Sequence, residues 1–210
     1  MRQAATQELY SYWNKLRGAR LSPEREEIDP TAIRHILADT MILEADDERQ
    51  FPIRISGTRL NALFLNEQKG APFVSLFAPE DRHAVTAMML SVLDGVRPIV
   101  AGLIAEAEDG EDAALELLIL PLRHRGKTHA RLLGSVAPMA LPSWFGLRAA
   151  RRLRLVAMRF IEGHNLEDAM NAPALPLLAR PSEIKPTDLA GRSKTRWRSF
   201  FVIPGGRQEN

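Results

Sequence analysis

Three apolar-rich segments between residues 99 and 137, separated by short turn signals, constrain the fold more than any other feature. Residues 99–107, 115–122 and 128–137 read as strands. Asp109-Gly110 falls in the first gap and Arg125-Gly126 in the second. Asp-Gly suits a tight hairpin because both central residues of the favoured turn need positive φ. A meander of antiparallel strands is the expected outcome. Pro121 has no N–H to give a ladder, so it should mark the end of the second strand or a bulge.

The strongest helix should precede this meander, starting at Pro79. Glu80 and Asp81 suit its positive end. Val85, Met88, Met89, Val92 and Leu93 follow at i, i+3, i+4, i+7 and i+8, and Gly95 stops it. Nearer the N-terminus, residues 7–17 read as a helix with Leu9, Trp13 and Leu16 on one face. Thr6 is its expected cap and Gly18 its left-handed end. Asp29-Pro30 should open a short helix carrying Ile33, Ile36 and Leu37. Residues 41–45 and 51–56 read as strands around a polar turn at 46–48. The second is apolar at Phe51, Ile53 and Ile55, and Pro52 assigns it to a sheet edge. A short helix over 59–65 and a connector over 70–78 complete this part.

Residues 143–162 are expected to form a further helix, with Leu153, Val156, Ala157 and Phe160 sharing a face. Prolines then recur without periodicity, and a mobile tail is expected beyond about residue 170. The apolar surface there is too small to offset the ~1–2 kcal/mol of entropy per ordered residue.

This order, together with particular residues, resembles a PAS domain, and most of all the alphaproteobacterial single-PAS family. The residues are Trp13 with Leu16-Arg17-Gly18, Pro23 and Arg25, Ile28-Asp29-Pro30, Arg54-Ile55-Ser56-Gly57-Thr58 and Phe77-Ala78-Pro79-Glu80-Asp81-Arg82. The resemblance covers roughly residues 7–140. It implies an α+β fold: a five-stranded antiparallel sheet with flanking helices, the two N-terminal strands lying beside the last. Around it come an N-terminal helix and a C-terminal helical or disordered extension. The family usually has a glycine where this chain has Leu65-Asn66-Glu67. The expected organisation is an N-terminal helical segment (1–28), the PAS-like domain (29–140), a basic helical extension (141–170) and a tail (171–210).

Function classes can be narrowed. The chain has no cysteine, which excludes disulfides, thiolate metal sites and cysteine nucleophiles. It also excludes flavin photochemistry through a cysteine adduct. His35, His83, His124, His129 and His164 form no His-x-x-x-His pair, and neither a nucleophile elbow nor a phosphate-binding loop is present. Haem ligation by His83 is disfavoured by its place in the first helical turn, beside Asp81 and Arg82. No enzyme and no cofactor is expected. No leader and no membrane-length apolar run is read, so the protein is expected to be cytoplasmic.

A small ligand could lie between sheet and helices against Phe64, Phe73, Met88, Val92, Leu103, Leu117 and Leu133. A packed core would use the same residues, and the density of protein interiors favours that reading. Arg54 should point away from Ile53 and Ile55, toward a carboxylate or a ligand phosphate if that face is covered; a structural role is preferred, as an exposed edge charge that discourages aggregation or as a bridge to Asp29 or Glu44. Trp13 and Leu16 on the first helix and the open sheet edge are the expected surfaces for a homodimer or protein partner. Residues 141–210 carry 12 basic and 6 acidic side chains, against 16 and 20 in residues 1–140. Arg148, Arg151, Arg152, Arg154 and Arg159, with Arg196 and Trp197 further on, could meet an anionic partner such as a lipid surface or nucleic acid. The leading expectation is a sensory or regulatory protein without an output domain; an anion-binding adaptor is the alternative.

Overall fold

The computed structural model describes residues 1–108 and 111–161, except for the side chains of Thr128 and His129, all within one unit of the chain, Met1–Leu177. The elements are α1 (Ala4–Arg17), β1 (Thr40–Glu44), β2 (Ile53–Ser56), α2 (Thr58–Phe64), α3 (Arg82–Gly95), β3 (Ile99–Ala107), β4 (Ala113–His124), β5 (Lys127–Pro138) and β6 (Ala150–Phe160). Asp109-Gly110 and the expected tail lie outside the described residues. So do Arg196 and Trp197.

The meander forms as expected, and β1 and β2 join it beyond β5. The sheet has six antiparallel strands in the order β2-β1-β5-β4-β3-β6. The sixth strand corrects the expected helix over 143–162. Arg152 and Arg154 alternate with Leu153 and Leu155, a period of two, and the whole segment pairs with the otherwise free edge of β3. Leu153, Val156, Ala157 and Phe160 also fit helical spacing, at i, i+3, i+4 and i+7; in β6 Val156 is the extra residue of a register irregularity opposite Gly102 and Leu103. Pro121 is a second correction. It sits inside β4, at a stretch that β5 pairs and β3 does not reach.

Both faces of the sheet are apolar, and each packs its own cluster. The inner face packs under α2, the 3₁₀ turn Phe73–Leu76 and α3. Val85, Met88, Met89, Val92 and Leu93 of α3 are all buried there, at the positions the helical spacing assigned. Val96, one residue past Gly95, takes the left-handed conformation that ends α3. The outer face carries Ile42, Leu118, Leu120, Leu122 and Leu133, covered by α1 and by a strap over residues 24–39. Alternation along each strand sends neighbouring residues to opposite clusters: Met41 and Leu43 face in, and Ile42 faces out.

Two further corrections concern the outer layer. Helix α1 begins at Ala4, so Thr6 is buried in its first turn and does not cap it. The carboxylate of Glu116 on β4 takes the Arg2 and Gln3 N–H groups instead, at 2.8–3.1 Å. The strap is built of turns and two 3₁₀ pieces, Arg25–Glu27 and Leu37–Asp39, where a short helix was expected. Asp29 accepts the Thr31 N–H at 2.9 Å, forming a side-chain turn that competes with a helical start.

Candidate functional site

A half-open groove of about 450 Å³ lies on the outer face, between the strap and the β5-β1-β2 end of the sheet. Its floor is Thr40 and Ile42 of β1, Leu133 of β5 and Ile55 of β2. Its wall is Ile28, Ile33 and Leu37 of the strap. Ile55 reaches this face through a bulge. Ile42 pairs with Ile55 and Leu43 with Ile53, so Arg54 is the extra residue. The bulge turns Ile53 inward, fully buried, and leaves Ile55 outward and half exposed. Simple alternation, which put Ile53 and Ile55 on one face, is overturned here.

The groove's edges are held by ion pairs. Asp39, buried at the end of the strap, receives both of its carboxylate contacts from Arg59 of α2, at 2.5 and 2.6 Å. Glu44 joins three strands: Arg54 of β2 pairs with it, and Arg131 of β5 reaches it at 2.8 Å. Arg54 is therefore a structural bridge to Glu44, one of the two structural roles the sequence left open, and does not line the groove. Burial pushes the Glu44 carboxyl up, but the hydrogen bonds and charges of Arg54 and Arg131 outweigh it and hold the group below its usual value. A depressed folded-state value means that this cluster's stabilisation is complete above the unfolded value of about 4.3 and is lost as pH falls through the folded one. Thermal melts at pH 7 and pH 3 should show a larger loss for the wild type than for Glu44→Gln. Equal losses would remove Glu44 from the acid response.

The residues expected to hold a ligand divide between the two faces. Phe73, Met88, Val92, Leu103 and Leu117 are buried in the inner cluster, with Phe64 packed against it. Leu133 is not with them; it belongs to the outer cluster and the groove. Trp13, expected as a partner surface, is turned inward. It is 1% exposed, stacks on Tyr10, and its Nε1–H donates to the Pro121 carbonyl at 2.9 Å. Leu16 packs against the same cluster, partly buried.

The arginines expected on a basic helix stand on or beside β6. Arg152 pairs with Glu106 at 2.6 Å and Arg154 with Asp81 at 2.9 Å. Arg148 is 3.8 Å from Glu111. His83 is exposed. Among the described residues no three histidine, aspartate or glutamate side chains are grouped to hold a metal, and no helix is long and apolar enough to cross a membrane.

What sequence reading missed is the groove itself. Ile28, Ile33 and Ile42 look like ordinary core residues one by one, and nothing in their spacing marks a gap between strap and sheet. Arg25 belongs to the family-like pattern in the sequence, and that pattern assigns it no role.

Residues 1–137 match the family model described as PAS domain. No curated protein matches the chain. Solved structures similar to it include the PAS domain of a protein from Colwellia psychrerythraea, at 16% identity over 53% of this chain and 98% of that one, with a TM-score of 0.40. The light-state LOV domain of the blue-light photoreceptor Aureochrome1 shows 18% identity over 52% and 88%, with a TM-score of 0.40. The PAS domain of an HTR-like protein from Haloarcula marismortui shows 18% over 52% and 90%, with a TM-score of 0.36.

Proposed function

This chain belongs to the PAS domain family, and from that premise we propose that it is a regulatory protein which takes a small molecule into the outer groove and reports it through contacts with a protein partner. The family's general role is sensory and not catalytic. The observation that carries the reading is the groove, whose volume of about 450 Å³ lies within the usual ~300–1,000 Å³ of small-molecule sites.

The groove's two walls differ in kind. The sheet side is a long-range hydrogen-bonded ladder, whereas the strap is turns and short 3₁₀ pieces whose internal backbone bonds run between residues three apart. Local stability follows such differences. A ligand that fills the groove would therefore order the strap more than the sheet, and the strap's outer surface is where a partner would read the change. Less supports the anion-binding alternative, since Arg152 and Arg154 are held by Glu106 and Asp81.

Native mass spectrometry of the purified full chain tests the proposal. The expected result is a mass above the 23.5 kDa chain that disappears on denaturation. The same peak should accompany slower amide exchange across residues 24–39 than in chain stripped of ligand. A bare mass, with exchange in the strap unaltered by a small-molecule extract of the producing cells, would end it.

A further inference from the structure

We infer that the groove takes an amphipathic acid, an acyl chain ending in one carboxylate, with Arg25 holding the carboxylate; this rests on the ligand-sensing reading above. Arg25 is the only charged residue among those lining the groove. Its surroundings should have neutralised it. Glu24, Glu26, Glu27 and Asp29 all lie within four residues of it along the strap.

Each of those acids is engaged elsewhere. Glu24 pairs with Arg123 at 3.2 Å and Glu26 lies 3.1 Å from His124 Nδ1. Glu27 pairs with Arg20 at 2.8 Å, and Asp29 accepts the Thr31 N–H and hydroxyl. Arg25 itself has no side-chain ion pair or hydrogen bond among the described residues, and it is half-buried at the groove. A guanidinium so placed presents several donors in a plane that matches a carboxylate. Beyond it the lining is mainly aliphatic, with Ile28, Ile33, Leu37, Ile42, Ile55 and Leu133. Of its three hydroxyls, Thr40 donates to the Ile36 carbonyl at 2.8 Å and Ser56 to Asn61 Oδ1 at 2.6 Å, and Thr58 is the third. One cation in a mainly apolar groove, with no acid among its lining residues, matches one anion on an apolar chain. A zwitterion or a polar sugar would bring more hydroxyl or ammonium groups than the three threonine and serine hydroxyls of the lining can partner, two of which are already bonded within the protein.

Calorimetric titration of the full chain with sodium dodecanoate and with dodecanol, both below their aggregation limits, tests the assignment. The wild type should bind dodecanoate about tenfold or more tightly than dodecanol. Arg25→Gln should remove that preference while leaving dodecanol binding unchanged. Ile55→Trp, at a half-exposed position that tolerates a larger side chain, should fill the groove and abolish both. Equal affinity for acid and alcohol in the wild type, or a preference that survives Arg25→Gln, would overturn the role of Arg25. Binding unaffected by Ile55→Trp would overturn the location. If neither compound binds, the inference falls alone, and the retained mass and strap exchange described above decide separately whether the sensor reading stands.

Discussion

Trp13→Ala should unfold the protein about 6–20 °C lower than the wild type and leave its oligomeric state at low temperature unchanged. The indole is 1% exposed, and it fills the space between α1 and the outer face of the sheet. Truncating such a residue removes its transfer free energy and leaves a cavity, together about 3–5 kcal/mol. Part of that loss is polar. The Pro121 carbonyl now accepts the Nε1–H at 2.9 Å, and without it a buried acceptor is left unsatisfied. A chain of this length converts each kcal/mol into about 2–4 °C. Trp13→Phe separates the two contributions. It keeps most of the apolar area and loses the hydrogen bond, so it should fall between wild type and alanine. Melting followed by circular dichroism, with mass by light scattering on the same samples, discriminates the roles. An unchanged melting temperature together with a halved mass would return Trp13 to the role of a partner surface.

The inner layer of the fold was legible because local and tertiary signals agree there. Met88, Met89 and Val92 fall at helical spacing and face a sheet that needs a cover. Arg125 and Gly126 both take positive φ, as a two-residue hairpin requires. Legibility failed where two periods compete. Residues 150–160 satisfy both a helical and a strand pattern, and only the vacant edge of β3 decides between them. It failed again where one inserted residue inverts a face. No local propensity announces the bulge at Arg54, yet it decides that Ile55 belongs to the groove. Leu65 lies between these cases. It caps α2 in the left-handed conformation at φ 48°, so the loop keeps the geometry that a glycine would favour and forgoes the glycine. The groove was the least legible feature, because it depends on how far the strap stands from the sheet, a distance that no residue pattern encodes.

That distance is set in part by Gly57, and Gly57→Ala should have the second large effect. Gly57 joins β2 to α2 and meets the strap directly. A Cβ built there would lie 2.3 Å from the Ala38 carbonyl oxygen and 2.7 Å from both its carbon and the Leu37 oxygen. All three are backbone atoms, so no rotamer change relieves the clash, and the strap must move away. Overpacking in a well-packed region costs about 1–3 kcal/mol, and a backbone obstacle places this site at the top of that range or above it. Gly134→Ala is the matched comparison. Its Cβ would meet the Met41 Cε at 2.7 Å, the flexible end of a methionine, with the Leu118 oxygen at 3.0 Å; the milder end of the range is expected. The consequences also differ in place. Gly57 and Ala38 both line the groove, so Gly57→Ala should raise amide exchange over residues 37–39 and weaken dodecanoate binding along with stability. Gly134→Ala should lower stability with no particular effect on the strap. If Gly134→Ala proves the more damaging of the two, or if Gly57→Ala leaves exchange in the strap unchanged, the close approach of Gly57 to Ala38 does not set the width of the groove.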